Sequence, residues 1–273
     1  MFIDLHTHTT CSDGTLTPEA LVRYAHEKAL KAVAITDHDT VAGNKRALRE
    51  GTSLPLEVIP GVEFSTQCKK GQIHILGLFV NSDQPKILKS CEFLQKKRKE
   101  RNLKMLENLD TMDMPIEKGV FETESYLGRP HIAQALMESG YVKNIDEAFE
   151  KYLKKGKPAY INREKLSEEE TIATIVKAEG IPVLAHPVTV YNVEETVERL
   201  THRGLQGIEV YYPTHSRAEF NYYVYLAKKY NLLITGGSDF HGERKPDIDL
   251  GCLPVPARLL TPLYQYISIR NRK

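Results

Sequence analysis

Two histidines one residue apart, His6 and His8, stand near the start of the chain in MFIDLHTHTTCSDGT, with Asp13 following on the same segment. Side chains two apart on an extended strand point to one face, so His6 and His8 can converge on a single ion. Asp239 and His241 repeat that spacing in GGSDFHG, where Gly236 and Gly237 let the backbone come close to such a site. His38, Glu63, His74 and His186 lie at or just beyond further predicted strand ends. A lone histidine is more often a satisfied partly buried or surface residue than a ligand, and His26 and His202 are read that way. The strand-end constellation is read as metal binding. Imidazole and carboxylate without a thiolate cluster suit Mn²⁺, Fe²⁺ or Zn²⁺ rather than a structural cysteine site. More ligands than one ion can take imply two or three ions. Such a group activates a bridging water as hydroxide and clamps phosphate oxygens during in-line displacement. The chemistry implied is phosphoester hydrolysis.

These residues need elements to hold them. Short apolar, β-rich runs recur at Phe2–Leu5, Ala32–Thr36, Glu57–Gly61, Gln72–Val80, Pro182–Ala185, Gly207–Tyr211 and Leu232–Thr235. Helical segments alternate with them, as expected of an α/β fold, open or closed into a barrel. Thr17-Pro18-Glu19 offers a cap with proline at the first helical position. Ser167 to Glu170 is a capping box, and Gly180 is expected to close the helix that follows. In barrels of this kind, active-site groups gather at the C-terminal strand ends, where these ligand types fall. The segment from Phe64 to Gly71 is too short for a parallel crossover. The third and fourth strands are therefore antiparallel or not adjacent; if antiparallel, Glu63 and His74 meet at one rim. Strand patterns cease between about Pro85 and Lys165, where helical spacing takes over. The expected division is residues 1–95 for the first part of the barrel, 96–164 for a helical insertion that caps the substrate, and 165–273 for the second part.

The 273 residues carry a net charge of +1, which gives no global basic field for long duplex nucleic acid and favours a small or short substrate. No apolar run approaches the roughly 20 residues of a membrane-spanning helix, and no membrane association is expected. The four cysteines show no paired spacing, and the chain opens without the basic and apolar segments of a signal peptide. A cytoplasmic protein with reduced thiols is expected; its oligomeric state is left open.

DLHTHTTCSDG, AITDHDT, PGVEFS, HILGL, AHP and GGSDFHG, in this order, resemble the motifs of the PHP (polymerase and histidinol phosphatase) family. The resemblance covers both flanks of the chain. It implies a distorted (β/α)7 barrel with a trinuclear metal centre, Mn²⁺ being the first choice of cation. Carried over by position, one ion would take His6, His8, Glu63 and Asp239, and a second Asp13, His38 and His241. Glu63 would bridge to a third, completed by His74 and His186. Gly128-Arg129-Pro130-His131 resembles the subgroup of these phosphoesterases that acts on nucleotides, where arginine and histidine reach the substrate phosphate. A guanidinium binds phosphate bidentately, and a histidine can donate to it or protonate a leaving oxygen. The alternative is that Arg129 pairs with a nearby acid and His131 merely starts a helix.

Other positions read two ways. Lys96 to Lys99 with Arg101 form a solvated helix face or a guide for an oligonucleotide. Lys154, Lys155 and Lys157 read the same, with Lys157 the better substrate contact because Gly156 and Pro158 fix its loop. His215, in GIEVYYPTHS, is a proton donor facing the site or a surface histidine. The leading expectation is a phosphatase on small nucleotides, especially one removing the 3′-phosphate of a 3′,5′-bisphosphate. Its rivals are exonuclease action on short 5′-phosphorylated oligonucleotides, histidinol phosphatase activity, and a non-catalytic metal-stabilised module.

Overall fold

Seven strands form one sheet in the computed structural model, which describes residues 1–68, 70–124 and 127–270. They are β1 (Ile3–Asp4), β2 (Ala32–Ile35), β3 (Glu57–Ser65), β4 (His74–Leu78), β5 (Ile181–Leu184), β6 (Gly207–Tyr211) and β7 (Leu233–Gly236). Their spatial order follows the chain. β1 and β7 then approach each other: Leu5 N–H donates to Gly236 O at 3.1 Å, and beyond the strand ends Asp239 N–H donates to His6 O at 2.8 Å. The result is a nearly closed seven-stranded barrel. Neighbouring strands are parallel except at β4, which runs against both β3 and β5. Ser65 pairs with His74 and Glu63 with Leu76, so the rim of β3 and the start of β4 coincide as the short connection requires.

The period-two alternation of strands explains how ligands and core share one sheet. On β3, Ile59 joins the buried apolar cluster, and Glu63, four residues on, points to the same side. On β4, Leu76 and Leu78 join that cluster and His74 shares their parity. The opposite parity on β2, Val33 and Ile35, packs against Leu21, Val22 and Ala25 of α1 (Pro18–Glu27) and Ala47 of α2 (Asn44–Gly51). Burying side chains of this size stabilises the fold by roughly 1.5–3 kcal/mol each for the larger ones.

The caps behave largely as the local sequence requires. Thr17 accepts from Ala20 N–H at the start of α1. After α3 (Pro85–Asp110), α4 (Gly119–Thr123), α5 (Arg129–Glu138) and α6 (Ile145–Ala148), helix α7 (Glu168–Lys177) opens on the Ser167–Glu170 capping box. Its end differs from expectation. Glu179, with φ 62°, takes the left-handed position, and Gly180 N–H donates back to Ile175 O at 2.9 Å. Gly180 is needed for space instead, because a Cβ there would lie 2.7 Å from Val80 Cγ1. Helices α8 (Val193–His202), α9 (Arg217–Lys229) and α10 (Leu260–Arg270) complete the order.

The chain divides into two units, Met1–Cys91 with Leu166–Lys273, and Glu92–Lys165. The first division falls inside α3, four residues before the expected 95/96 boundary, where an unbroken helical period gives the sequence no signal. The barrel unit holds all seven strands. The insertion has its own apolar core, in which Met105, Leu106 and Leu109 of α3 meet Phe121, Ile132, Leu136 and Leu153.

Candidate metal centre

Every ligand type singled out at the strand ends belongs to the barrel unit. Glu63 stands at the middle, fully buried. Its Oε2 lies 3.3 Å from His6 Nε2, 3.2 Å from His8 Nε2 and 3.0 Å from His38 Nδ1. Its Oε1 lies 2.7 Å from His74 Nδ1 and 2.9 Å from His186 Nε2. Asp239 Oδ1 closes the first side at 3.5 Å from His6 Nε2 and 3.2 Å from His8 Nε2. Asp13 forms a neighbouring corner, with Oδ1 3.3 Å from His241 Nε2 and Oδ2 3.9 Å from His38 Nε2.

Three sets of these atoms are mutually close enough to share a cation: His6, His8, Glu63 and Asp239; His8, Asp13, His38 and His241; and His38, Glu63 and His74. The first reproduces the expected set. The second adds His8, whose Nδ1 lies 3.8 Å from Asp13 Oδ1, to the expected Asp13, His38 and His241. The third gathers His38 where His186 was expected. His186 touches Glu63, but the mutually close atoms do not include its own.

The fit to cations rests on unsatisfied atoms. His6 Nε2, His8 Nδ1 and Nε2, His38 Nδ1, Asp13 Oδ1 and Glu63 Oε2 are buried without a hydrogen-bond partner. They lie within ion-pair range of one another but without hydrogen-bonding geometry. Leaving such groups bare costs roughly 1–3 kcal/mol each. Separations of 3.2–3.5 Å about Glu63 and Asp239 are those of ligand atoms on one polyhedron around an ion, whose bonds to N and O are about 2.0–2.2 Å. The residues present fit divalent cations.

Electrostatics point the same way. Burial would raise the carboxyl pKa values of Glu63, Asp13 and Asp239, but the surrounding histidines hold all three well below the usual range. Burial lowers His38 to about 3, leaving a neutral imidazole. Burial also opposes charge on His8, yet Asp239 and Glu63 outweigh it and lift His8 to about 9.

Residues that the sequence reading passed over hold these ligands in place. Glu209, fully buried on β6, places Oε1 3.0 Å from His6 Nδ1 and accepts the His186 N–H through Oε2 at 2.6 Å. Asp37 accepts from Thr9 N–H, Thr9 Oγ1 and Ser12 Oγ, each at 2.7 Å, which shapes the loop carrying Asp13. Tyr212 Oη and Lys245 Nζ donate to Asp239 Oδ2 at 2.9 and 2.6 Å, leaving Oδ1 for the centre. A signal existed for Glu209: an acid among the apolar residues of GIEVY is anomalous unless paired. Gly237 allows the closure, since a Cβ there would lie 2.4 Å from His6 N. His186 and Asp239 have φ of 26° and 55°, left-handed backbone that non-glycine residues rarely adopt and that gathers at functional sites.

The remaining candidates are His215 in the barrel unit and three residues of the insertion unit. His215 Nδ1–H donates to Val210 O at 2.9 Å, and its Nε2 is buried without a partner. Burial lowers its pKa. Arg129, His131 and Lys157 belong to the insertion unit. Arg129 donates to Leu153 O at 3.3 Å and stacks over Phe149 and Tyr160 rather than pairing with an acid in these contacts. His131 does open α5: its Nδ1 accepts Gly128 N–H at 3.0 Å, which leaves the ring proton on Nε2. Lys157 is exposed on the turn that its N–H closes to Lys154 O.

A nearly closed α/β barrel with a buried histidine–carboxylate cluster at its strand ends defines a metal-dependent hydrolase. The sequence profile of the PHP domain matches residues 4–236, and the chain belongs to the PHP domain family. It is 37% identical over 265 residues to the 5′-3′ exoribonuclease Rnm of Escherichia coli, covering 91% of this chain and 87% of that protein. It is 31% identical over 280 residues to the 3′,5′-nucleoside bisphosphate phosphatase of Chromobacterium violaceum, covering 98% and 97%. A solved structure from Bifidobacterium adolescentis, described as a metal-dependent phosphoesterase, superposes with a TM-score of 0.87 at 29% identity, covering 96% of this chain and 95% of that one. The protein is a metal-dependent phosphoesterase. Among the described residues no helix is long and apolar enough to cross a membrane.

Proposed function

We propose that this phosphoesterase removes the 3′-phosphate of small 3′,5′-nucleoside bisphosphates, using three divalent cations held at the Glu63 centre. The observation that carries the reading is the set of six buried, partnerless ligand atoms from His6, His8, Asp13, His38 and Glu63. The phosphatase relative, aligned over nearly the full length of both chains, supports the substrate. Mn²⁺ is the favoured cation, with Fe²⁺ and Zn²⁺ compatible with the same nitrogen and oxygen donors.

Divalent cations bound here supply Lewis acidity and make water nucleophilic at neutral pH. The chain's own part is to fix that chemistry in space. His6, His8, Glu63 and Asp239 form one ligand set and His8, Asp13, His38 and His241 a second. His38, Glu63 and His74 form the third, with His186 beside Glu63. In the overall reaction the P–O3′ bond breaks, water supplies the new P–O bond, and the 3′-oxygen leaves with a proton. Arg129 and His131 bind the substrate phosphate in this proposal. Arg129 can offer a planar fork, and His131 keeps its ring proton on Nε2, as a donor needs. Lys157 is a further substrate contact by charge alone. The four free thiols suit a reducing cytoplasm.

The test is release of inorganic phosphate with Mn²⁺ from adenosine 3′,5′-bisphosphate, histidinol phosphate and short 5′-phosphorylated RNA. Preferential turnover of the bisphosphate is expected; preference for histidinol phosphate overturns the substrate assignment. The second reading, 5′-3′ exoribonuclease action, is favoured by the 37% identity to the exoribonuclease Rnm. Faster release of mononucleotides from the oligonucleotide would select it.

A further inference from the structure

Lys245 brings a positive charge of the chain's own to the edge of the metal centre. Its Nζ donates to Asp239 Oδ2 at 2.6 Å, the one partner of that ammonium among the described residues. Asp239 is a buried member of the first ligand set, yet the Lys245 side chain remains 35% exposed. The ammonium therefore stands where the centre meets solvent. Both residues belong to the barrel unit, as does every ligand of the centre.

The backbone beneath this side chain is tied down. Lys245 N–H donates to Gly242 O at 3.0 Å, and Glu243 N–H donates to Thr15 Oγ1 at 3.1 Å. Gly242 has φ 66°, and a Cβ there would lie 2.0 Å from Thr15 Oγ1, so the turn sits hard against the segment carrying Asp13. The base of the lysine is anchored, and its four-carbon stem supplies the freedom to swing.

Two donors meet on Asp239 Oδ2, the second being Tyr212 Oη at 2.9 Å. If the lysine leaves, that oxygen keeps a partner and no buried acceptor is orphaned. A reason to leave arises when Asp239 Oδ1 ligates a divalent cation. The carboxylate's charge is then shared, and ammonium and cation repel each other at close range. An ammonium with three rotatable donors and access to solvent turns readily to an anion, and lysine binds phosphate as a point charge. A metal-dependent phosphoesterase brings such an anion to its metal centre.

We propose that Lys245 is a substrate-binding residue, paired with Asp239 in the metal-free chain and turned to the substrate's phosphoryl oxygens once the centre is loaded. The proposal rests on the cation reading of the Glu63 centre above, and not on which nucleotide is hydrolysed. It gives the barrel unit a phosphate contact of its own.

The experiment uses the full-length protein with inorganic phosphate as the probe. Reductive methylation read by mass spectrometry reports how freely Lys245 reacts. Slow reaction is expected without metal, faster reaction with Mn²⁺, and renewed protection when phosphate is added to the Mn²⁺-loaded protein. In calorimetric titration, Mn²⁺-loaded K245M is expected to bind phosphate about 10-fold more weakly than the wild type, the scale of one charge-assisted hydrogen bond. K245R, which keeps the charge, retains part of that affinity. Metal analysis accompanies each titration. Undiminished phosphate binding by K245M at wild-type metal content, or no protection of Lys245 by phosphate, overturns the contact. Weaker phosphate binding that comes only with lost Mn²⁺ shows a lysine acting through Asp239, and overturns it too. Absence of bound Mn²⁺ in the wild type fails the cation reading itself, and this contact with it. Should K245M not fold, the methylation pattern of the wild type carries the test.

Discussion

Glu209 Oε1 lies 3.0 Å from His6 Nδ1, and both side chains are fully buried. This contact fixes the imidazole proton on Nδ1 and turns Nε2, which has no partner, toward Glu63 and Asp239. The other oxygen of Glu209 accepts the His186 N–H, so one carboxylate aligns two sides of the centre. Glu209→Gln keeps the shape but removes the charge that makes His6 a better donor. Metal affinity is expected to fall by about 10- to 100-fold, measured by competition with a chromophoric chelator. Unchanged affinity would show that Glu209 serves packing alone.

Asp13 gathers with three histidines, His8, His38 and His241, in one candidate group of ligand atoms. Asp13→Asn should lower kcat by at least about 10–100-fold, the loss that changing even the outer partners of metal ligands brings. Metal analysis of the purified variant should find fewer ions per chain. A wild-type metal content with full activity would remove Asp13 from the site.

His8 sets a pH dependence whose sign follows from its environment. Burial disfavours the imidazolium, but Asp239 and Glu63 hold the pKa at about 9 in the metal-free protein, against about 6.5 for an unperturbed ring. Its stabilisation of the metal-free fold is complete below the unfolded value and disappears as pH rises through the folded one. A cation must displace that proton, so apparent metal affinity rises toward the folded pKa. At about pH 7.5, titration with Mn²⁺ in two buffers of different ionisation enthalpy should reveal proton release. Identical heats in both buffers would contradict the raised pKa.

Gly237 lies where β7 approaches the segment carrying His6. Gly237→Ala puts a Cβ 2.4 Å from His6 N, against backbone that cannot yield easily. We expect a loss of about 1–3 kcal/mol of stability in chemical denaturation, together with weakened metal binding. A variant with unaltered stability and metal content would mean that the closure is looser than these contacts indicate.

Much of the candidate metal cluster is legible in the residues alone. His6 with His8 and Asp239 with His241 declare themselves by a spacing of two, and His38, Glu63, His74 and His186 by standing at the ends of short β-rich runs. The reversal of β4 was legible too, because the link from Phe64 to Gly71 cannot span a parallel crossover. These are local signals, set by strand period and chain length. The rest depends on contacts distant in sequence. Barrel closure brings Glu209 to His6 across 203 residues, a pairing that no local period encodes. The same closure brings His8 into two of the candidate groups and sets His38 with Glu63 and His74 in the third, with His186 beside Glu63. The direction of a single bond also waited on the fold: the Val210 carbonyl takes the Nδ1–H of His215. Arg98 and Arg101 read as a solvated stripe because helical composition records charge and not what packs against it. Only the packing of the insertion buries them, to 7% and 8% exposed.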